Sequence, residues 1–141
     1  MAVATRELAA KVVIDGTAEG RVLHLAEPIS FWGGVDPESG VVIDARHPDR
    51  GRSISGRVLC LPGMIGSSSA SAVMLELLRA RLAPAALVLG ETDAILALGV
   101  VVGREMGYRA IPVLELALAE QKKLPQEALV RIRAGGVIEV A

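Results

Sequence analysis

The sequence is poor in most of what small proteins use to brace themselves or to hold cofactors. Cys60 is the only cysteine among 141 residues. An internal disulfide is therefore excluded, and one thiol with two scattered histidines makes no metal site by itself. In its place in a run of apolar residues, Cys60 reads as a small buried hydrophobe of a strand. Only Phe31, Trp32 and Tyr108 are aromatic, so the core is built from Ala, Val, Leu and Ile. Neither charge sign is in excess: Lys plus Arg is 15, Asp plus Glu is 16, and the formal net charge is -1. That balance argues against nucleic acid as the main partner, because phosphate binding calls for a basic excess or stripe.

Hydrophobic residues nevertheless make up 52% of the chain, which excludes a disordered polymer and raises the question of a membrane span. The longest uncharged run, Val58 to Leu75, approaches spanning length. It is interrupted by Pro62, Gly63, Gly66 and four serines, and a lipid-facing helix would not tolerate that composition. The opening residues carry Arg6, Glu7 and Lys11 and lack an apolar stretch, so no signal peptide is expected and a cytoplasmic, soluble protein is. The length suits one domain, expected to span residues 1–141.

What is present has a clear order. The first third is β-like, with short aliphatic runs at Lys11–Asp15 and Arg21–Leu25. A loop rich in glycine and proline follows from Pro28 to Gly40, then an extended run over Val41–Asp44 and a polar, turn-rich stretch over Arg46–Arg57. Arg57–Leu61 reads as a buried strand. From Ala70, the apolar positions Ala70, Val73, Met74, Leu77 and Leu78 follow helical spacing, with a cap expected within Ser67–Ser69. Ala86–Leu89 is a second buried strand. Thr92 or Asp93 caps another helix, whose expected inner face is Ile95, Leu98, Gly99, Val102, Gly103 and Met106, and Gly107 stops it. Ala110–Leu114 makes a third strand, and the Gly99/Gly103 pair is expected to pack that helix closely on the sheet. Leu129–Ala134 and Val137–Val140, about Gly135-Gly136, form a hairpin. The fold class is α/β: a β-rich first part joined to a β-α-β-α-β unit.

Ligands of such units gather at the carboxyl ends of the strands, where the loop Pro62-Gly-Met-Ile-Gly-Ser-Ser-Ser69 lies. It places main-chain N–H groups and three hydroxyls at the positive end of a helix dipole, a setting suited to a carboxylate or phosphate. No Lys follows Gly66, so it is not a Walker loop. Gly-x-Ser-x-Gly is absent, so it is not a hydrolase elbow. Helix capping explains one serine, whereas three after a glycine exceed that need. Ser67 directly follows Gly66, and it is the best placed of the three to act on a bound ligand. Gly66, Ser68 and Ser69 are placed to bind one. His24 alternates with apolar neighbours and reads as structural. His47 sits in a polar turn and reads as solvated. Ser67 with either histidine also leaves a hydrolytic triad open. Phe31 and Trp32, side by side in a glycine-flanked loop, suggest a surface that docks on a partner. Without further clues a non-catalytic anion-binding or interaction module accounts for the same residues.

Several motifs in fixed order narrow this. Pro28-Ile-Ser-Phe-Trp-Gly-Gly-Val-Asp-Pro37, Gly40, Ile43-Asp44, His47-Pro48 and Gly51 resemble the swivelling domain of aconitase X. So do Leu61-Pro62, Gly66-Ser-Ser-Ser69, Ala83-Pro-Ala-Ala86 and Asp93-Ala-Ile-Leu-Ala-Leu-Gly99. The likeness runs from about Val13 to about Val113. It implies a swivelling β/β/α domain acting as the small subunit of a two-subunit hydro-lyase that dehydrates a small hydroxy acid. Family members act on cis-3-hydroxy-L-proline or mevalonate 5-phosphate. The Ala- and Arg-rich composition makes the first the expected substrate. The resemblance also implies that a large catalytic subunit holds the iron or iron–sulfur cluster, and that Ser67 is the catalytic base. Many relatives carry a basic residue just before the Gly-Ser motif, where this chain has Ile65. Arg46, Arg50 or Arg52, or the large subunit, is then expected to supply the missing cation.

Overall fold

A computed structural model describes residues 6–141; the reading of the opening segment falls in part on residues 1–5, outside the described residues. Eight strands, β1 (Arg6–Ala9), β2 (Lys11–Ile14), β3 (Ala18–His24), β4 (Val58–Leu61), β5 (Ala86–Leu89), β6 (Val113–Glu115), β7 (Leu129–Arg133) and β8 (Val137–Val140), form one sheet. Its order is β1-β8-β7-β3-β4-β5-β6-β2. The pairs β3/β4, β4/β5 and β5/β6 are parallel, and the others are antiparallel. The strands at the two ends of that order, β1 and β2, are separated in the chain by Ala10 alone. Two Cα steps span under about 8 Å, so the sheet must curl until its edges meet. Ala10 marks that seam, its N–H donating to the Gly136 carbonyl at 2.9 Å.

Alternation along the strands then divides two cores. In β4, Val58 and Cys60 point into the curl with Val22, Val130 and Ile138. Leu59 and Leu61 point outward and lie beneath α2 (Ala70–Arg79) and α3 (Ala94–Glu105), in a cluster with Leu77 and Val100. Every residue of β4 and β5 is buried, which is why both read as continuous apolar runs. The result is the expected α/β class, two β layers with a helical layer over the parallel half.

Several boundaries differ from expectation. β1 and the short helix α4 (Leu118–Gln121) lack a strong periodic signal and were not anticipated. The third strand of the parallel unit begins only at Val113, because Pro112 has no N–H to give to a ladder. Val41–Asp44 makes only isolated bridges, Val35 to Val42 and Val41 to Ser53. Within the Pro28–Gly40 loop, α1 (Phe31–Gly34) is one distorted turn broken at Trp32 and Gly33.

The larger correction concerns α3. Its buried residues are Leu96, Ala97, Gly99, Val100 and Gly103, whereas Ile95, Leu98, Val102 and Met106 are exposed. The helix is apolar nearly all round, so hydropathy does not choose a face; size does. A side chain at Gly99 would meet the Ser71 carbonyl oxygen at 2.7 Å, and one at Gly103 would meet Leu78 Cδ1 at 2.8 Å. The glycine pair therefore seats α3 on α2, helix on helix, rather than on the sheet.

Candidate functional site: the serine loop

β4 delivers the chain to the loop at Leu61, whose carbonyl accepts from the Gly90 N–H (2.9 Å) and from Gln121 Nε2 (3.2 Å). Gln121 is buried, and its amide also donates to the Leu116 carbonyl at 3.0 Å. One side chain thus ties together the carboxyl ends of β4 and β6 below the loop. Beyond Pro62 the loop lies along the Pro28–Gly34 segment. Met64 bridges Ile29, and the Ile65 N–H donates to the Ile29 carbonyl at 3.0 Å. Ile65, Gly66 and Ser68 are exposed, while Ser67 and Ser69 are half-buried.

Ser69 occupies the N-cap position of α2, but its hydroxyl makes no cap bond. Ser67 instead closes the turn before the helix, its Oγ accepting the Ser69 N–H at 3.2 Å. The Ser67 carbonyl accepts the Ala70 N–H at 3.2 Å. An N–H aimed at an oxygen favours its anionic form, and so does a helix N-terminus. Gly66 has neither a positive φ nor any atom within 4 Å of the place its Cβ would occupy. Nothing inside the chain requires glycine there.

The two aromatic neighbours part company. Phe31 is fully buried in the outer core, whereas Trp32 is 62% exposed. The docking surface expected from both residues therefore rests on Trp32 alone. Ile65 and Ile43 are also exposed. The Ile43 N–H bonds the Gly34 carbonyl at 2.8 Å, so the three apolar side chains all sit on the loops around the serines.

Neither histidine is available to activate a serine. His24 Nε2 donates to the Leu124 carbonyl at 2.6 Å, as a structural histidine should. His47, expected to be solvated, is buried. Its Nε2 donates to the Glu27 carbonyl and its Nδ1 accepts the Asp49 N–H, both at 3.0 Å. Asp49 in turn accepts from the Ala26 N–H at 2.8 Å and pairs with Arg52 at 3.3 Å. Of the three candidate cations, Arg52 is thus engaged. Arg46 and Arg50 are exposed, with no side-chain bond among the described residues.

Cys60 is buried, and burial pushes its thiol up to about 12. A ligating sulfur must be a thiolate facing its metal, so this residue does not fit a cluster. Among the described residues no group of three or more His, Cys, Asp or Glu is placed to hold a metal ion. No described helix is long and apolar enough to cross a membrane. Sequence reasoning missed Gln121, since a lone amide carries no pattern, and gave Ile43 no role beyond its place in a motif.

The fold and loop define an α/β domain that presents a serine at the turn leading into α2 and leaves it unenclosed. The chain belongs to the aconitase X swivel-domain family: the model of that family matches residues 7–140. Across 103 residues it is 47% identical to a cis-3-hydroxy-L-proline dehydratase of Pseudomonas aeruginosa, covering 73% of this chain and 18% of that protein. It is 36% identical over 118 residues to the phosphomevalonate dehydratase small subunit of Thermococcus gammatolerans, covering 84% of this chain and 90% of the relative. The crystal structure of Thermococcus kodakaraensis aconitase X (holo-form) superposes with a TM-score of 0.84 at 35% identity, over 96% of this chain and 98% of that one. The chain spans about a fifth of the length of the dehydratase from Pseudomonas.

Proposed function

We propose that the chain, residues 1–141, is the small, swivelling subunit of a cytoplasmic hydro-lyase that dehydrates a small hydroxy acid, with Ser67 as the base. The observation that carries this reading is the Ser69 N–H directed at Ser67 Oγ on an exposed loop. Dehydration starts with removal of a weakly acidic proton beside a carboxylate, so the base must be strong and close to that carbon. Serine reaches that strength only as an alkoxide, which the Ser69 N–H and the start of α2 stabilise and which water would quench. The loop is open on its outer side. A large subunit docked over Trp32, Ile43 and Ile65 supplies the missing wall, and Gly66 lets the substrate or that wall approach the main chain. The Ser67 alkoxide takes the proton and becomes the hydroxyl. The substrate's hydroxyl leaves with its bonding pair and takes up that proton to depart as water, and the product carries a new double bond.

In this reading the iron or iron–sulfur centre belongs to the large subunit, since Cys60 does not fit one. The substrate's anionic group rests on the main-chain N–H groups of Gly66 and Ser68 and on the Ser69 hydroxyl, with Arg46 or Arg50 standing in for the cation absent at Ile65. Cis-3-hydroxy-L-proline is the first substrate, supported by the higher identity to a dehydratase of that name. Mevalonate 5-phosphate is the second, favoured by the near-complete coverage of a small subunit.

Co-purification with a large, cysteine-bearing subunit tests the assignment. The isolated chain should be folded, colourless and inactive, and the complex should dehydrate one of the two substrates. Activity without a partner would overturn it, and an inactive complex would leave a non-catalytic anion-binding module. Ser69→Asp should raise the apparent Michaelis constant by like-charge repulsion; an unchanged value would move the anion elsewhere.

A further inference from the structure

At the opposite end of the parallel strands, α2 and α3 stop side by side with the same capping geometry. In α3 the Tyr108 N–H returns to the Gly103 carbonyl (2.9 Å) and the Gly107 N–H to the Arg104 carbonyl (3.1 Å). In α2 the Leu82 N–H returns to the Leu77 carbonyl (2.8 Å) and the Arg81 N–H to the Leu78 carbonyl (3.2 Å). Both are Schellman turns, which need a left-handed residue and normally use glycine. Gly107 meets that need at φ 84°; α2 has Arg81 there instead, at φ 61°. The turn requires the left-handed backbone but no side chain, so an arginine in place of glycine there points to a use for its side chain.

The two turns enclose a cleft of about 530 Å³, lined by Arg79, Arg81 and Arg109, by Tyr108, and by the apolar residues Leu78 and Ile111. Arg79 is bonded to Glu76. Arg81 and Arg109 make no ion pair or side-chain hydrogen bond among the described residues, so two positive charges are left unmatched. The turn bonds already occupy the last carbonyls of both helices, which softens their opposition to a bound anion. A single carboxylate needs one guanidinium, whereas a phosphoryl group offers three oxygens and nearly two charges to a cluster of them.

We propose that this cleft binds a small phosphoryl anion through Arg81 and Arg109, with Arg79 completing the cradle and Tyr108 and Ile111 walling any apolar remainder. The site lies at the carboxyl end of α2, and the serine loop lies at its start, about 15 Å of helix away.

Inorganic pyrophosphate is the probe, titrated against the full chain and against its complex with the large subunit, with chloride at matched ionic strength. Pyrophosphate should raise the thermal midpoint in step with the logarithm of its concentration above Kd, by roughly 5–10 °C at a hundredfold excess. Arg109→Gln should weaken binding tenfold or more. Arg81→Gly should do the same while raising the midpoint of the ligand-free chain, because glycine suits the turn. Ser69→Asp should leave pyrophosphate binding intact, which separates this cleft from the serine loop. The proposal is overturned if chloride protects equally, if citrate binds as tightly as pyrophosphate, or if neither arginine variant changes the affinity. It is also overturned if binding vanishes in the complex, since the cleft would then be a seat for acidic side chains of the large subunit.

Discussion

Two polar loops flank the Pro28–Gly34 segment, and they dispose of their side chains in opposite ways. From Asp44 to Arg52, His47 and Asp49 direct their polar atoms to the main chain of Ala26 and Glu27 and to each other. From Pro62 to Ser69, one serine accepts one N–H, and the hydroxyls of Ser68 and Ser69 bond nothing among the described residues. Both stretches look alike on paper, short and rich in turn residues. The first uses its hydrogen-bonding capacity to hold the fold. The second keeps that capacity facing outward, where only a ligand or a partner meets it.

The sharpest break in this comparison is Ser67→Ala. Turnover of the assembled enzyme should fall by about 10²-fold or more, while stability changes by about 1 kcal/mol or less, because only one turn hydrogen bond is lost. Steady-state kinetics beside a denaturant titration reads both. Near-normal turnover here with an inactive Ser68→Ala would shift the base by one residue. His47→Leu should do the reverse: about 1–3 kcal/mol of stability lost through the stranded Glu27 carbonyl and Asp49 N–H, with kcat per folded complex unchanged. A fall in kcat at unchanged stability would place His47 in the chemistry after all.

Trp32→Ser should weaken association with the large subunit about tenfold, roughly 1.4 kcal/mol, without unfolding the chain. Equilibrium binding by titration calorimetry checks it, and unaltered affinity would remove the apolar rim from the interface. The smallest effect concerns Cys60. Its folded thiol is held up to about 12 against an ordinary 9.0, so below pH 9 both folded and unfolded chains keep the proton. Above that, the unfolded chain releases its proton first and stability falls, by about 0.8 kcal/mol at pH 9.5. Cys60→Ala should lack that increment of alkaline loss when the two pH profiles are subtracted.

Where periodicity and capping signals were strong, the elements were readable: β4, the start of α2, β5 and the β7/β8 hairpin fall within a residue or two of expectation, whereas α2 ends at Arg79 and not at Pro84. Tertiary context decided the rest. The inner face of α3 was misread because leucine and valine surround it, and the deciding glycines act by being small. Phe31 and Trp32 share a loop, yet α1 turns one inward and the other outward through a break no propensity announces. His47 looked solvated because its acceptor, Glu27, lies twenty residues away in sequence. The serine loop was legible as a place, since strand, glycine and helix mark it. Which of its hydroxyls receives an N–H was not, because that depends on the torsion of one turn.

The seam at Ala10 has a consequence for how the molecule is made. Residues 6–14 leave the ribosome before any of their partners, yet β1 pairs only with β8 and β2 only with β6. β2 therefore waits until residue 115 and β1 until residue 140 has been synthesised, and intermediates before that moment expose open sheet edges. Contacts of such sequence separation close slowly, and open edges invite association with other chains. Of the eight strands the earliest in sequence is the last to be fitted, as a clasp that shuts the barrel.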